Sequence, residues 1–169
     1  EGVTIHRLRY LQPDRSKKLG RLVNYFSFTL AAFAHLGRLR NYRTVVVYSN
    51  PPILPWVAAQ AKKRYGCKLV FVSYDLYPEL ALRTNALRPG SLIFRAMSHI
   101  NEVVYPLADR VVALSSEMRD FIAAHRPIAK DRIAVIPNWY PDRGEADRDP
   151  EGTPFAKELA GKFVVGYFG

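Results

Sequence analysis

FVSYDLYPELALRTNAL, residues 71–87, sets an apolar, β-rich run directly before a cluster of acidic and ring side chains. The run from Leu69 to Ser73 predicts a strand. Asp75, Tyr77, Pro78 and Glu79 follow at its carboxyl end, the edge where open parallel α/β sheets hold their ligands. The Pro78 ring disfavours the α conformation at Tyr77, so the chain is expected to turn tightly at Asp75 and to hold two carboxylates near the sheet edge. In a second reading, Asp75 caps a helix beginning near Pro78, with Glu79 in its positively polarised first turn. The stretch alone leaves the two open.

Upstream, residues 44–49 (TVVVYS) are a continuous β-branched run of the kind expected in a central parallel strand buried on both faces. Asn50-Pro51-Pro52 ends it. Residues 54–65 predict a helix with a cationic end, Lys62-Lys63-Arg64, which suits the helix dipole, and Gly66 is its natural stop. Downstream, a break at Arg88-Pro89-Gly90 precedes a long helix over about 91–107, which Pro106 should end or kink. Residues 109–114 predict another buried strand. Ser115 or Ser116 caps the next helix by default, although either could hold a phosphate at that amino terminus. A short strand at 132–136, a turn at 137–141, a charged linker at 142–152, a helix at 153–160 and a last strand at 162–168 complete the order. Alternating strands and helices predict right-handed crossovers and a parallel sheet.

Further upstream, residues 3–10 alternate in polarity like a strand near one edge, and 12–18 read as a loop. Residues 19–39 predict a helix with Leu19, Leu22, Val23, Phe26, Leu30 and Phe33 on one face. Its uncharged stretch is shorter than the roughly 20 residues needed to span a bilayer. Lys17, Lys18 and Arg21 at one end and Arg38, Arg40 and Arg43 at the other frame an aromatic-rich segment, a pattern suited to membrane-surface contact. The default reading is a crossover helix buried over one sheet face, and one end could still touch lipid.

The formal charge of the 169-residue chain is +10, and it is distributed unevenly. Residues 1–64 carry twelve Lys or Arg against Glu1 and Asp14, whereas residues 65–169 carry thirteen of each sign. Such a surplus attracts nucleic acid, anionic headgroups or a phosphorylated substrate. Cys67 is the single cysteine, so no internal disulfide can form; a reducing, cytoplasmic setting and a buried hydrophobic role are expected. His6, His35, His99 and His125 are scattered, and no metal site is indicated. A basic nucleic-acid-binding module is the alternative class, although no helix-turn-helix or RNA-recognition signature is present. A dinucleotide enzyme lacks its Gly-x-Gly-x-x-Gly after any predicted strand.

The succession VVVYSNPP, VFVSYDLYPE, DRVVALSSEMRDFI, RIAVIPNWYPD and FVVGYFG resembles the amino-terminal half of a family 4 glycosyltransferase, a retaining nucleotide-sugar enzyme of GT-B architecture. DLYPE is similar to a branch that builds bacterial capsular and cell-surface polysaccharides. The resemblance implies an α/β Rossmann-like parallel sheet with helices on both faces. It further implies an acceptor-side domain over 1–141, and a linker with the first strand of a truncated donor domain over 142–169. On this reading the chain is a fragment lacking the family's first strand and Gly-rich loop, folded or nearly so but inactive alone. It implies a catalytic-site role for Asp75, with Tyr74, Tyr77, Glu79, Ser115, Ser116, Glu117 and Asn138 binding acceptor or lining the cleft. Tyr74 stands where many members have a histidine that contacts the donor sugar. The basic set Lys17, Lys18, Arg21, Arg38 and Arg40 would meet an anionic membrane at the inner face of the cytoplasmic membrane. No cofactor is expected in this part. The implied partners are a nucleotide sugar, held mainly by the absent domain, and a glycan or lipid-linked acceptor.

Overall fold

The structure, a computed structural model, describes residues 2–14, 16–138, 161 and 162, with the side chain of Lys18 excepted. In order it contains α1 (Lys18–Ala34), a 3-10 helix (Leu36–Asn41), β1 (Thr44–Tyr48), α2 (Leu54–Tyr65), β2 (Lys68–Ser73), α3 (Glu79–Arg83), α4 (Leu92–Leu107), β3 (Arg110–Ala113), α5 (Ser116–His125), a second 3-10 turn (Lys130–Arg132) and β4 (Ile133–Val135). The expected linker, helix and last strand beyond Asn138 lie outside the described residues, apart from Gly161 and Lys162.

The four strands form one parallel sheet in the order β1-β2-β3-β4, an α/β Rossmann-like fold. Each strand is short and β-branched, and the helices between them return the chain to the start of the next strand, as parallel pairing requires. Alternation sends Leu69, Phe71 and Ser73 of β2 to the interior, beside Val111 and Ala113 of β3. Ala58 and Ala59 of α2, Val104 and Tyr105 of α4, and Ile122 of α5 pack against them. The small alanines let α2 lie close, and the Tyr105 ring meets Phe71 edge-on at 5.3 Å. Full burial of side chains such as Leu69 and Ile122 contributes about 1.5–3 kcal/mol each. At the opposite end of the strands Asp109 ties the layers together: its backbone N–H donates to Leu69 O at 2.8 Å, its carboxylate accepts the Leu69 N–H at 2.7 Å, and it pairs with Lys62 of α2.

Three expectations are corrected. The TVVVYS run is an edge strand rather than a central one, and Val46 is 56% exposed; its apolar composition fits a doubly buried strand, but the described residues pair with it on one side only. Residues 3–10 form no strand, because alternation yields a strand only where a neighbouring edge supplies hydrogen bonds, and none does among the described residues. That segment instead ends against α1, with the Leu11 N–H donating to Ser27 Oγ at 3.2 Å, Asn24 Nδ2 donating to Leu11 O at 3.4 Å, and the Tyr10 ring 5.1 Å from Phe28.

The third correction concerns α1. Its apolar face is not laid over the sheet: Leu19 is 72% and Leu30 68% exposed, and Phe26 and Phe33 are exposed too. The buried residues of α1 are Gly20, Asn24 and Thr29. The polar side faces inward because it receives the backbone of the amino-terminal segment, whose amide and carbonyl need partners. No helix among the described residues is long and apolar enough to cross a membrane.

Candidate functional site

Parallel pairing brings every strand's carboxyl end to one edge, and there β2 hands over to Tyr74 and Asp75. Ser49, buried just beyond β1, accepts the backbone N–H groups of both Tyr74 and Asp75 on its Oγ at 3.0 Å each. The Tyr48 and Tyr74 rings lie 5.6 Å apart above this contact. Thus β1 shapes the turn after β2.

The next bend contains the cis peptide Tyr77-Pro78. Its carbonyl, Tyr77 O, accepts from Asn101 Nδ2 of α4 at 2.7 Å and from Arg126 Nη2, just after α5, at 3.3 Å. Helix α3 then begins at Glu79, with Pro78 at its cap position. The capping alternative for Asp75 is therefore not realised: the Leu80 N–H donates to Leu76 O, and the first turn takes no side-chain cap. Glu79 is the acid of that first turn, and its Oε2 receives Arg126 Nη2 at 2.6 Å.

Between α3 and the start of α5 lies an open cleft of about 380 Å³ whose walls include Tyr74, Asp75, Glu79, Arg83, Glu117 and Phe121. Four of these were expected from sequence; Arg83 and Phe121 were not. Asp75 also borders a small crevice with Tyr77, Ser49 and Asn101. Asp75 thus borders both the cleft and the crevice that takes Tyr77; burial, then the charge of Asp75, then Tyr25 push the Tyr77 phenol above its ordinary pKa. Ser115 caps α5, accepting the Met118 N–H at 3.2 Å. Hydrogen bonds from its own backbone N–H and from the Ser115 and Ser116 hydroxyls hold the exposed Glu117 carboxyl below its usual range. Ser115, Ser116 and Asn138 stand at the same sheet edge without lining the cleft.

Chemically, the cleft offers three carboxylates as hydrogen-bond acceptors, one guanidinium, and two aromatic rings with apolar side chains, a mixture suited to a polyhydroxylated ligand. Ser49, Asn101 and Arg126 carry little local signal in sequence, because each works through a contact with a distant part of the chain. Among the described residues no group of His, Cys, Asp or Glu is arranged to hold a metal ion.

Far from the cleft in sequence, Lys17, Arg21, Arg38 and Arg40 are exposed around α1, and among the described residues no carboxylate pairs with them. The side chain of Lys18 lies outside the described residues.

A family model described as "Glycosyl transferase 4-like domain" matches residues 1–139, a span that includes every helix and strand above and also the segment before Thr44. A protein from Pseudomonas aeruginosa, "Probable glycosyltransferase WbjE", is 25% identical over 166 residues, which are 95% of this chain and 41% of that relative. The chain therefore spans less than half the length of the relative it matches.

Proposed function

The chain belongs to the glycosyl transferase 4-like family, and from that premise we propose that it is the acceptor-side half of a retaining glycosyltransferase. The parent enzyme moves a sugar from a nucleotide-sugar donor to a glycan or lipid-linked acceptor in surface polysaccharide synthesis. The observation that carries the reading is the convergence of Tyr74, Asp75, Glu79 and Glu117 on one cleft at the carboxyl edge of the parallel sheet. Site geometry, not fold, must bear such a claim.

In this reading Asp75 accepts a hydrogen bond from the acceptor hydroxyl and aims its oxygen at the donor carbon, an orienting contribution rather than a covalent one. Glu79 accepts from a neighbouring hydroxyl, and Tyr74 or Phe121 packs against the sugar's C–H face. Donor binding, and the charges that stabilise the departing diphosphate, belong to the remainder of the parent protein. In this reading residues 1–141 form the acceptor side, residues 142–169 belong to the linker and donor side, and the chain by itself carries out no transfer.

A further feature supports work at a membrane. An apolar stripe through Leu19, Phe26 and Leu30 faces solvent between the clusters around Lys17 and Arg38. Exposed apolar groups flanked by cations suit an anionic lipid surface, whereas a nucleic-acid surface would need the cations without the stripe. In this reading the surface met is the inner face of the cytoplasmic membrane.

The test is transfer by the full-length parent protein, with membranes as the acceptor source and a panel of radiolabelled nucleotide sugars, beside an Asp75→Asn variant. Label in a lipid-extractable product, strongly reduced in the variant, is the expected result. Absence of transfer from every donor, together with salt-sensitive binding to short DNA, overturns the proposal.

A further inference from the structure

We propose that Arg126 is a positioning residue for the cleft: from behind its wall the guanidinium holds Glu79 and the Tyr77 carbonyl, and so fixes the turn that carries Asp75. The inference rests on the acceptor-site reading above and adds a residue that makes no contact with the acceptor.

Arg126 follows the last turn of α5, a place where arginine ordinarily extends into water. Here its side chain is only 9% exposed. Nη2 lies 2.6 Å from Glu79 Oε2 and 3.3 Å from Tyr77 O. The guanidinium carbon sits 5.8 Å from the ring centroids of both Tyr105, a core residue, and Phe121, a cleft residue. One planar cation therefore joins α3, the Tyr77-Pro78 turn, α4 and α5.

Stability alone does not account for this arrangement. Burying a guanidinium is costly, and replacing a buried ion pair by apolar groups is often neutral or stabilising. Moreover, Arg126 Nε is buried without a hydrogen-bond partner among the described residues, which adds to the cost. What the arrangement does supply is direction. A forked donor stacked on rings has one geometry, unlike a lysine ammonium. With Oε2 of Glu79 engaged, Oε1 has no partner among the described residues, and Glu79 borders the cleft. Asn101 holds the same Tyr77 carbonyl from the other side at 2.7 Å, so the turn between Asp75 and Glu79 is gripped from two helices.

The experiment uses the full-length parent protein with Arg126→Met, Arg126→Lys, Glu79→Gln and the Arg126→Met/Glu79→Gln double variant. Amide hydrogen exchange over residues 75–80 is compared with that over α4, and kcat and KM are measured separately for acceptor and donor. Arg126→Met is expected to accelerate exchange at 75–80 while α4 stays protected, and to raise the acceptor KM by about tenfold, the loss of one charge-assisted hydrogen bond. The donor KM should not move, Arg126→Lys should recover part of the loss, and Arg126→Met should add little to Glu79→Gln. Wild-type exchange at 75–80 with an unchanged acceptor KM overturns the proposal, as do effects of Arg126→Met and Glu79→Gln that multiply. If Arg126→Met fails to fold, Arg126→Lys carries the same exchange and KM comparison. If the wild-type protein transfers no sugar, the glycosyltransferase reading falls, and the exchange result alone decides whether Arg126 fixes the turn.

Discussion

Ser49 and Asp75 meet through a single hydrogen bond, the Asp75 N–H donating to Ser49 Oγ at 3.0 Å, and the same oxygen accepts the Tyr74 N–H. Two amides at the end of β2 thus depend on one buried hydroxyl from the neighbouring strand. Replacing it strands both. Leaving a buried donor unsatisfied costs about 1–3 kcal/mol, so Ser49→Ala should lower unfolding stability by about that amount in urea titrations. Because the lost bonds hold Asp75, transfer by the parent protein should also fall, in contrast to a core truncation of equal cost remote from the turn.

A second prediction concerns Gly20. An alanine in an exposed helix interior ordinarily stabilises by about 1 kcal/mol over glycine. At this position, however, a Cβ would run into the Asp14 carbonyl, where the amino-terminal segment crosses α1. Overpacking costs typically about 1–3 kcal/mol, so the sign reverses and Gly20→Ala should destabilise. The loss should be local: exchange of the Leu11 amide, bound to Ser27, should quicken while β2 amides keep their protection.

The strand and helix order from Thr44 to Val135 was legible because buried parallel strands and their connecting helices carry period and punctuation in sequence. Residues 54–65 were placed to the residue and β2 to within one residue at its start, since Pro and Gly mark the ends of the helix between the strands. What failed was partnership. The β-branched run of β1 says that a strand is favoured, not how many neighbours it has. The apolar periodicity of α1 gives the stripe but not the side it faces, and here the amino-terminal segment took the polar side. Likewise, the turn at Asp75 was readable from Pro78, whereas Arg126, 47 positions beyond Glu79, reads locally as a solvated helix end.

The third prediction is an acid limb in stability. Burial would raise the Asp109 pKa, but the Lys62 ammonium, the Leu69 N–H and the Arg132 charge outweigh it, so the net direction is downward. A carboxylate depressed in the folded state adds stability that is fully present above its unfolded pKa, near 3.9, and is lost as pH falls through the folded value. Asp109→Asn should therefore lower the urea midpoint at pH 7 and flatten its dependence below about pH 4. The two side chains of the pair are 23% and 39% exposed, so solvent screening keeps the effect modest. A variant whose midpoint falls with acid as steeply as that of the wild type contradicts the assignment.

The last prediction turns on the outward face of α1. Cations near an anionic membrane contribute about 1 kcal/mol each, and Lys17, Arg21, Arg38 and Arg40 are exposed together around an exposed stripe. The parent protein should therefore co-sediment with vesicles rich in phosphatidylglycerol and not with purely zwitterionic ones, and salt should weaken the binding. Charge reversal at these four positions and at Lys18 should abolish the salt-sensitive part. Replacing Leu19, Phe26 and Leu30 with serine should instead remove the part that survives high salt, because apolar insertion is not screened. The two sets separate the electrostatic from the apolar contribution. Unchanged vesicle binding in both would leave the stripe as a surface for another segment of protein and would remove the membrane from the function proposed above.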